Sequence, residues 1–231
     1  MHLEVDIPRI GYSVGEYVYE IIKKNIINLN MPPGTRVSEK EISDLLNVSR
    51  TPVREAFIKL SREGLIYVVP QRGSYISHID LNAVEDARFI RECIEKAVME
   101  IATENFPIKL LNELERNIDL QRQLLVQKKF FEFLMMDEEF HKTIFVGCNK
   151  ASIWSYIEQI NSQYKRIRML TFIADINWSN VLEQHVEILN CIKNQDRELG
   201  QEVISNHLKK LIIEQEELKK RYPDYFESIE L

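Results

Sequence analysis

The chain has 231 residues, of which 45% are hydrophobic and 29% are charged, with a formal net charge of −6. These proportions are typical of a soluble globular protein, and no apolar run approaches the roughly 18 residues that span a bilayer. The first ten residues lack an apolar centre, which excludes a secretory signal peptide and predicts a cytoplasmic protein. The three cysteines are far apart and odd in number, which indicates reduced thiols.

The charge is distributed unevenly along the chain. Residues 1–79 contain ten Lys or Arg and nine Asp or Glu, a net charge of +1, whereas residues 80–231 carry a net charge of −7. An acidic region cannot be a DNA-binding face, but the first region can be one if its cations share a surface. We therefore predict two domains, a DNA-binding domain at 1–79 and an effector domain at 80–231.

Three helices are predicted in the first domain. Apolar residues recur at helical spacing over 13–30, and a Met-Pro-Pro-Gly sequence ends this helix. Ser38 opens a short second helix, with Glu41 three residues later in a capping-box pattern. After a tight turn, a third helix begins near Ser49, and Pro52 lies in its first turn, where proline is tolerated.

Two short β-prone runs, 65–69 and 74–79, follow the third helix and are separated by a turn sequence. This order predicts a winged helix-turn-helix, with three helices plus a two-stranded wing. No strand pattern follows residue 80. We predict an all-α antiparallel effector domain of six helices, at about 81–104, 107–128, 130–147, 150–174, 178–194 and 196–221.

The third helix carries candidate DNA-reading residues. Arg50 and Arg54 are four residues apart, so they share a face opposite the apolar stripe of the helix. Such a helix fits the major groove, where an arginine fork matches the two acceptors of guanine. Ser49 and Thr51 are placed to cap the helix and to hydrogen-bond phosphate.

Three further cations, Arg36, Lys40 and the wing residue Arg72, are placed to contact backbone phosphates, which supply affinity without sequence choice. The alternative is that the arginines on the third helix form only a solvated face. The order of the helices, the turn and the wing argues against that alternative.

The sequence VSRTPVREA at 48–56 and the sequence PGTRVSE at 33–39 resemble the DNA-binding domain of GntR-family transcriptional regulators. The resemblance covers about residues 13–79. It implies that Arg50 and Arg54 approach the bases while Arg36 and Lys40 hold the backbone. It also implies that Gly73 lets the wing tip approach the minor groove.

The second region contains a candidate metal site. Asp137 and His141 are four residues apart on one helix face, and His185 and His207 lie on later helices. One carboxylate and three imidazoles suit zinc, nickel, copper or iron. From spacing alone, histidines scattered over three helices are more often packed or exposed independently, so both interpretations stay open at this point.

The segments 91–95, 137–141, 183–185 and 207–208 resemble the FCD effector domain of the FadR branch of the same family. The resemblance implies that Asp137, His141, His185 and His207 bind a divalent metal, zinc or nickel. It also implies that a small organic acid completes the site. The six predicted helices are similar to the VanR-like subgroup.

The same resemblance implies that Arg91 faces the effector pocket, where its guanidinium can bind a carboxylate through two hydrogen bonds. The alternative for Arg91 is an ion pair with Glu95, four residues later. Arg166 and Arg168 are weaker candidates for contact with the effector.

These features predict a metabolite-responsive transcriptional regulator that binds a pseudo-palindromic operator as a homodimer and is not an enzyme. One alternative is a metal-dependent hydrolase that uses the Asp/His site, for which Glu138 is the only candidate base. Another alternative keeps the regulator but gives the metal a purely structural role.

Overall fold

The computed structural model describes residues 3–5, 11–176 and 179–226. Within these ranges the chain is mainly helical, with one small antiparallel sheet near the N-terminus. This confirms the predicted fold class. None of the described helices is long and apolar enough to cross a membrane. Much of the N-terminal segment for which the sequence excludes a signal peptide lies outside the described residues.

Three helices form the N-terminal part: α1 (Val14–Ile27), α2 (Glu39–Leu46) and α3 (Arg50–Arg62). Local capping fixes their ends. Ser13 and Glu16 form a capping box at α1, and the Ser38 hydroxyl accepts a hydrogen bond from the Glu41 N–H at α2. Asn47 ends α2 in the left-handed conformation, with a φ of 51°, which turns the chain into α3.

The sheet contains β1 (Arg36–Val37), β2 (Ile66–Val69) and β3 (Gly73–Ile76), in the order β1-β3-β2. The prediction of a two-stranded wing was therefore incomplete. Arg36 pairs with Tyr75, and Val37 pairs with Ser74. A strand of two residues is too short to show an alternating pattern, which is why the sequence did not indicate it.

The C-terminal part is helical. Its elements are α4 (Leu81–Glu104), α5 (Ile108–Val126), α6 (Phe130–Gly147), α7 (Ala151–Ile160), α8 (Ser162–Ile173), α9 (Ser179–Asn194), α10 (Arg197–Arg221) and a 3-10 turn (Pro223–Tyr225).

The prediction of six helices was wrong, because the described residues of this part contain seven. The helix predicted at 150–174 is divided at Asn161 into α7 and α8. Asn161 is buried, and its amide donates to both carboxylate oxygens of Glu138, at 3.2 and 3.0 Å. No glycine or proline marks this break. The similarity to the VanR-like subgroup rested on a count of six helices, so this correction removes its basis.

The chain crosses between the two parts through a packed segment. Ile79 is fully buried, and it joins a core cluster that also contains Ile27 of α1 and Leu170 of α8. The Ile79 N–H donates to the carbonyl of Tyr225 at 2.8 Å. The connection is therefore held on one side by helices and on the other by the turn after α10.

Candidate DNA interface and metal centre

Helix α3 exposes the residues that the sequence assigned to DNA. Arg50, Thr51 and Arg54 are exposed, whereas Val53 and Phe57 on the opposite face are buried in the N-terminal core. Neither arginine forms an ion pair with a carboxylate in the part of the chain that the structure describes. Their guanidinium groups are therefore open to an external anion or base edge.

Ser49 occupies the N-cap position of α3, but its hydroxyl makes no capping hydrogen bond. The expectation that this side chain caps the helix was wrong. The hydroxyl is exposed together with that of Thr51, and Lys40 is exposed in the first turn of α2. All three side chains are accessible to a phosphate.

The wing places Arg36 and Arg72 on its exposed surface. Gly73 lies between them with a φ of +118°, a conformation that other residues rarely adopt. A Cβ atom at this position would lie 3.1 Å from the Nε atom of Arg36. Gly73 therefore leaves room for the Arg36 side chain across the wing, a contact that the sequence did not indicate.

The candidate metal ligands come together inside the C-terminal part. Asp137 and His141 lie on α6, His185 on α9 and His207 on α10, and all four are buried. One potential ligand atom from each residue lies within 4.8 Å of those of the other three. The structure thus brings together four residues whose spacing in the sequence left two interpretations open.

Each histidine has an oxygen partner at its outer ring nitrogen. The Nδ1 atoms contact Glu95 Oε2 (from His141, 2.7 Å), Gln121 Oε1 (from His185, 2.8 Å) and Gln184 Oε1 (from His207, 3.1 Å). An oxygen acceptor at Nδ1 places the proton there and leaves the Nε2 lone pair facing inward. This is the arrangement that supporting residues impose on metal-binding histidines.

Distances between the inner atoms fit a cation. His141 Nε2 lies 3.2 Å from His207 Nε2, and His185 Nε2 lies 3.2 Å from Asp137 Oδ1. Two facing lone pairs repel each other at this separation unless a positive charge lies between them. Adjacent ligands with metal bonds of ~2.1 Å lie about 3.0–3.4 Å apart. The donor set and its spacing therefore suit a divalent transition metal.

The protonation of the cluster also favours a metal. Burial raises the pKa of Asp137, but Arg168, which binds both carboxylate oxygens, reverses this and holds the pKa well below its ordinary value. Burial lowers the pKa of His185 and of His207. The site therefore presents one carboxylate and, at His185 and His207, neutral imidazoles, the forms that bind metals.

Arg91 is fully buried next to this cluster. Its Nε donates to Glu95 at 2.7 Å, and its Nη1 lies 3.4 Å from Glu138. The ion pair with Glu95, which the sequence offered as the alternative role for Arg91, is therefore present. The remaining Nη2 has no partner among the described residues, and the guanidinium lies 5.1 Å from the ring centre of Tyr164.

A small cavity lies beside the cluster among the described residues. A cavity of about 10 Å³ lies beside Glu95 and His141, which is room for roughly one water molecule. An organic acid would not fit in this cavity unless side chains moved.

Sequence reasoning missed most of the supporting residues. Gln121 lies on α5 outside every motif, and its role becomes visible only when α5 packs beside α9. Its amide donates to Asn117 at 2.6 Å, and Asn117 donates to the Met136 carbonyl at 3.0 Å, so the Gln121 oxygen faces His185. Arg168, which the sequence suggested as an effector contact, binds Asp137 instead.

Comparison with protein families gives two matches. Residues 15–76 match the model described as bacterial regulatory proteins, gntR family, and residues 86–210 match the FCD domain. The two matched ranges contain the exposed arginines of α3 and the buried histidine cluster, respectively.

Among curated proteins, the chain is 32% identical over 213 residues to the HTH-type transcriptional repressor RspR of Escherichia coli (strain K12). That alignment covers 92% of this chain and 93% of the relative. The gluconate operon transcriptional repressor of Bacillus licheniformis is 23% identical, and the alignment covers 81% of this chain and 79% of the relative.

Among solved structures, McbR/YncC of E. coli matches with a TM-score of 0.76 at 21% identity, covering 91% of this chain and 99% of that one. A putative transcriptional regulator GntR from Rhodococcus sp. RHA1 matches with a TM-score of 0.71 at 20% identity, covering 91% and 100%. At these identities the structural matches establish the fold.

Proposed function

Because this chain belongs to the gntR family of bacterial regulatory proteins and carries an FCD domain, we propose that it is a homodimeric regulator whose DNA binding responds to a metal-bound organic acid. Its action as a DNA-binding transcriptional regulator follows from the family. The metal, the acid, the dimer and the individual contact residues are the proposed part.

The exposed face of α3 supports the proposed DNA contacts. Arg50 and Arg54 read base edges in the major groove, and Ser49 and Thr51 hydrogen-bond phosphate at the start of the helix. The other phosphate contacts come from Arg36, Lys40 and Arg72, with Gly73 at the wing tip facing the minor groove.

The convergence of three Nε2 atoms and one carboxylate is the observation that carries the proposed metal site. Asp137, His141, His185 and His207 hold a divalent ion, zinc or nickel by their donor set. When bound, the ion supplies a positive charge that attracts an acid. Arg91 assists through its unpartnered N–H, which is free to donate to a carboxylate.

Helix α4 supports the proposed homodimer. Phe89, Cys93, Ala97 and Ile101 are each four residues apart and all exposed, with Phe89 at 59%. An exposed apolar stripe of this kind is typical of a protein–protein contact. A second copy of α4 with the same stripe provides a self-complementary partner, as a two-fold dimer requires.

The hydrolase alternative has no support. The family is one of transcription regulators and not of enzymes. Glu138, the only candidate base, already binds Lys165 at 2.9 Å and the amide of Asn161 at 3.0 Å. Its carboxylate is therefore engaged away from the cluster.

A DNA-binding titration by fluorescence anisotropy tests the proposal. The probe is a duplex from the region upstream of the gene, and the protein is stripped with a chelator or loaded with Zn²⁺, with and without a panel of small carboxylic acids. We expect Arg54→Ala to lose about 1–3 kcal/mol of binding per half-site. Arg62→Ala, which removes an exposed cation from the last turn of the same helix, is the matched control.

The proposal is wrong if the wild-type chain ignores the duplex at low ionic strength. It is wrong in its effector part if Zn²⁺ binds but no acid changes DNA affinity. If chelation then also leaves DNA affinity unchanged and lowers only the melting temperature, the metal has the structural role that the sequence left open.

A further inference from the structure

Helix α8 contacts both parts of the molecule through side chains only a few residues apart. Gln163 and Arg166 reach the N-terminal part, whereas Arg168 binds the candidate metal ligand Asp137. Because an α-helix moves as a rigid unit over the one to two turns that separate these residues, their contacts cannot shift independently.

Arg166 attaches α8 to the backbone that leaves the wing. It is fully buried, and its guanidinium donates to the carbonyls of Ser77 at 2.6 Å and His78 at 3.2 Å. It has no carboxylate partner in the described ranges. A buried cation depends on its hydrogen bonds, so these two carbonyls are held firmly in place.

Gln163 attaches the same helix to the end of the DNA-reading helix. Its amide donates to the carbonyl of Gly64 at 3.1 Å, and its oxygen accepts from Arg166 at 3.0 Å. Gly64 lies two residues after the last residue of α3. One pair of side chains on α8 therefore holds both the end of α3 and the exit of β3.

The other face of α8 lies against the metal cluster. Arg168 Nη2 contacts Asp137 Oδ1 at 2.8 Å, and the same oxygen lies 3.2 Å from His185 Nε2. One turn of helix earlier, Lys165 binds Glu138, the neighbour of Asp137. A metal ion on this carboxylate competes with Arg168 for its negative charge and repels the guanidinium.

We infer that Gln163 and Arg166 are positioning residues through which α8 transmits occupancy of the metal centre to the orientation of α3. This inference rests on the proposed function, because it requires a metal at Asp137 and DNA at α3. Metal binding weakens the contact between Arg168 and Asp137. The resulting movement of α8 displaces the backbone at 64 and 77–78.

The test measures DNA affinity of the full-length chain with and without Zn²⁺, and Zn²⁺ affinity separately by competition with a chelating dye. Couplings between sites typically change affinity by about 5–150-fold. The coupling is the ratio of the DNA affinities with and without Zn²⁺. We expect Gln163→Met and Arg166→Met each to bring this ratio at least fivefold closer to one. Zn²⁺ affinity in the absence of DNA should stay within threefold of wild type.

Gln159→Met, at an exposed glutamine of α7, is the matched control and should keep the wild-type ratio. Arg166→Lys, which retains the positive charge and one donor group, should restore part of the ratio. Gln163→Met removes two hydrogen bonds, one to Gly64 and one from Arg166, and keeps the charge of Arg166. It therefore tests the inference even if Arg166→Met does not fold.

Hydrogen exchange provides a readout that does not require DNA. Zn²⁺ should change the exchange of amides at 64–78 in the wild type but not in Gln163→Met. The inference is overturned if the variants keep the wild-type ratio, or if Zn²⁺ changes neither DNA affinity nor exchange in the wild type. If the wild type fails to bind Zn²⁺ or the duplex, the proposed function is wrong and the inference falls with it.

Discussion

The exposed face of α3 and the buried histidine cluster arrange their polar and charged groups in opposite ways. On α3, Arg50 and Arg54 lie in solvent without carboxylate partners among the described residues. In the cluster, every imidazole has an oxygen at its outer nitrogen, and Asp137 is bound by Arg168.

This difference reflects the size of the expected partner. A DNA duplex brings its own charge and its own shape, so the protein needs only accessible donors on a rigid helix. A single ion has no shape, so the protein must fix the direction of each ligand in advance. Preorganisation by neighbouring residues therefore characterises the proposed metal site, and accessibility characterises the proposed DNA site.

Removal of one inner ligand should have the largest effect on this comparison. We expect His185→Ala to lower metal affinity by more than about 100-fold, because even the loss of a supporting residue typically costs about 10–100-fold. Metal content by plasma mass spectrometry and a dye-competition titration measure this. His78→Ala, at a histidine outside the cluster, should leave metal content unchanged. Equal metal content in the two variants would contradict the site.

Removal of one supporting residue tests whether preorganisation matters. Gln121→Ala leaves all four ligands in place but removes the acceptor at His185 Nδ1, so metal affinity should fall by about 10–100-fold. Gln123→Ala, at an exposed glutamine of the same helix, is the control. If the two variants bind metal alike in the same titration, the Gln121 contact plays no part in orienting the ligand.

At the wing, an added methyl group tests the need for an accessible cation. Gly73→Ala places a Cβ against Arg36 and should weaken DNA binding by about tenfold, the loss of one charged hydrogen bond of ~1.5 kcal/mol. Gly11→Ala also has a positive φ, of +95°, but its Cβ would meet no atom within 4 Å. Anisotropy titrations of the two variants should therefore distinguish displacement of Arg36 from backbone strain. Equal losses of DNA affinity would mean that backbone strain alone explains the effect.

The smallest expected effect is on folding stability and comes from substitutions at two helix-capping positions. Ser38→Ala removes a capping hydrogen bond of 3.1 Å and should reduce stability by about 1 kcal/mol, roughly fivefold in the folding equilibrium. Ser49→Ala removes none and should change stability by less than about 0.5 kcal/mol. Urea denaturation measures both. A larger loss for Ser49→Ala would mean that its hydroxyl caps α3 after all.

The sequence predicted the local structure around α3 better than the surroundings of the histidine cluster, for a physical reason. Ser38, Pro52 and the apolar stripe of α3 are local signals, because each acts within one helical turn. The break at Asn161 and the support from Gln121 depend on side chains that approach from other helices, and no periodicity records such contacts. The four candidate metal ligands were proposed through resemblance to a family, since their spacing alone was ambiguous.

The hydrogen bond from Ile79 to the Tyr225 carbonyl brings the entrance and the exit of the helical segment between them to one point. The two ends of this segment therefore meet beside the N-terminal part, which α8 also contacts. A unit whose two ends meet can be exchanged for another without re-routing the backbone.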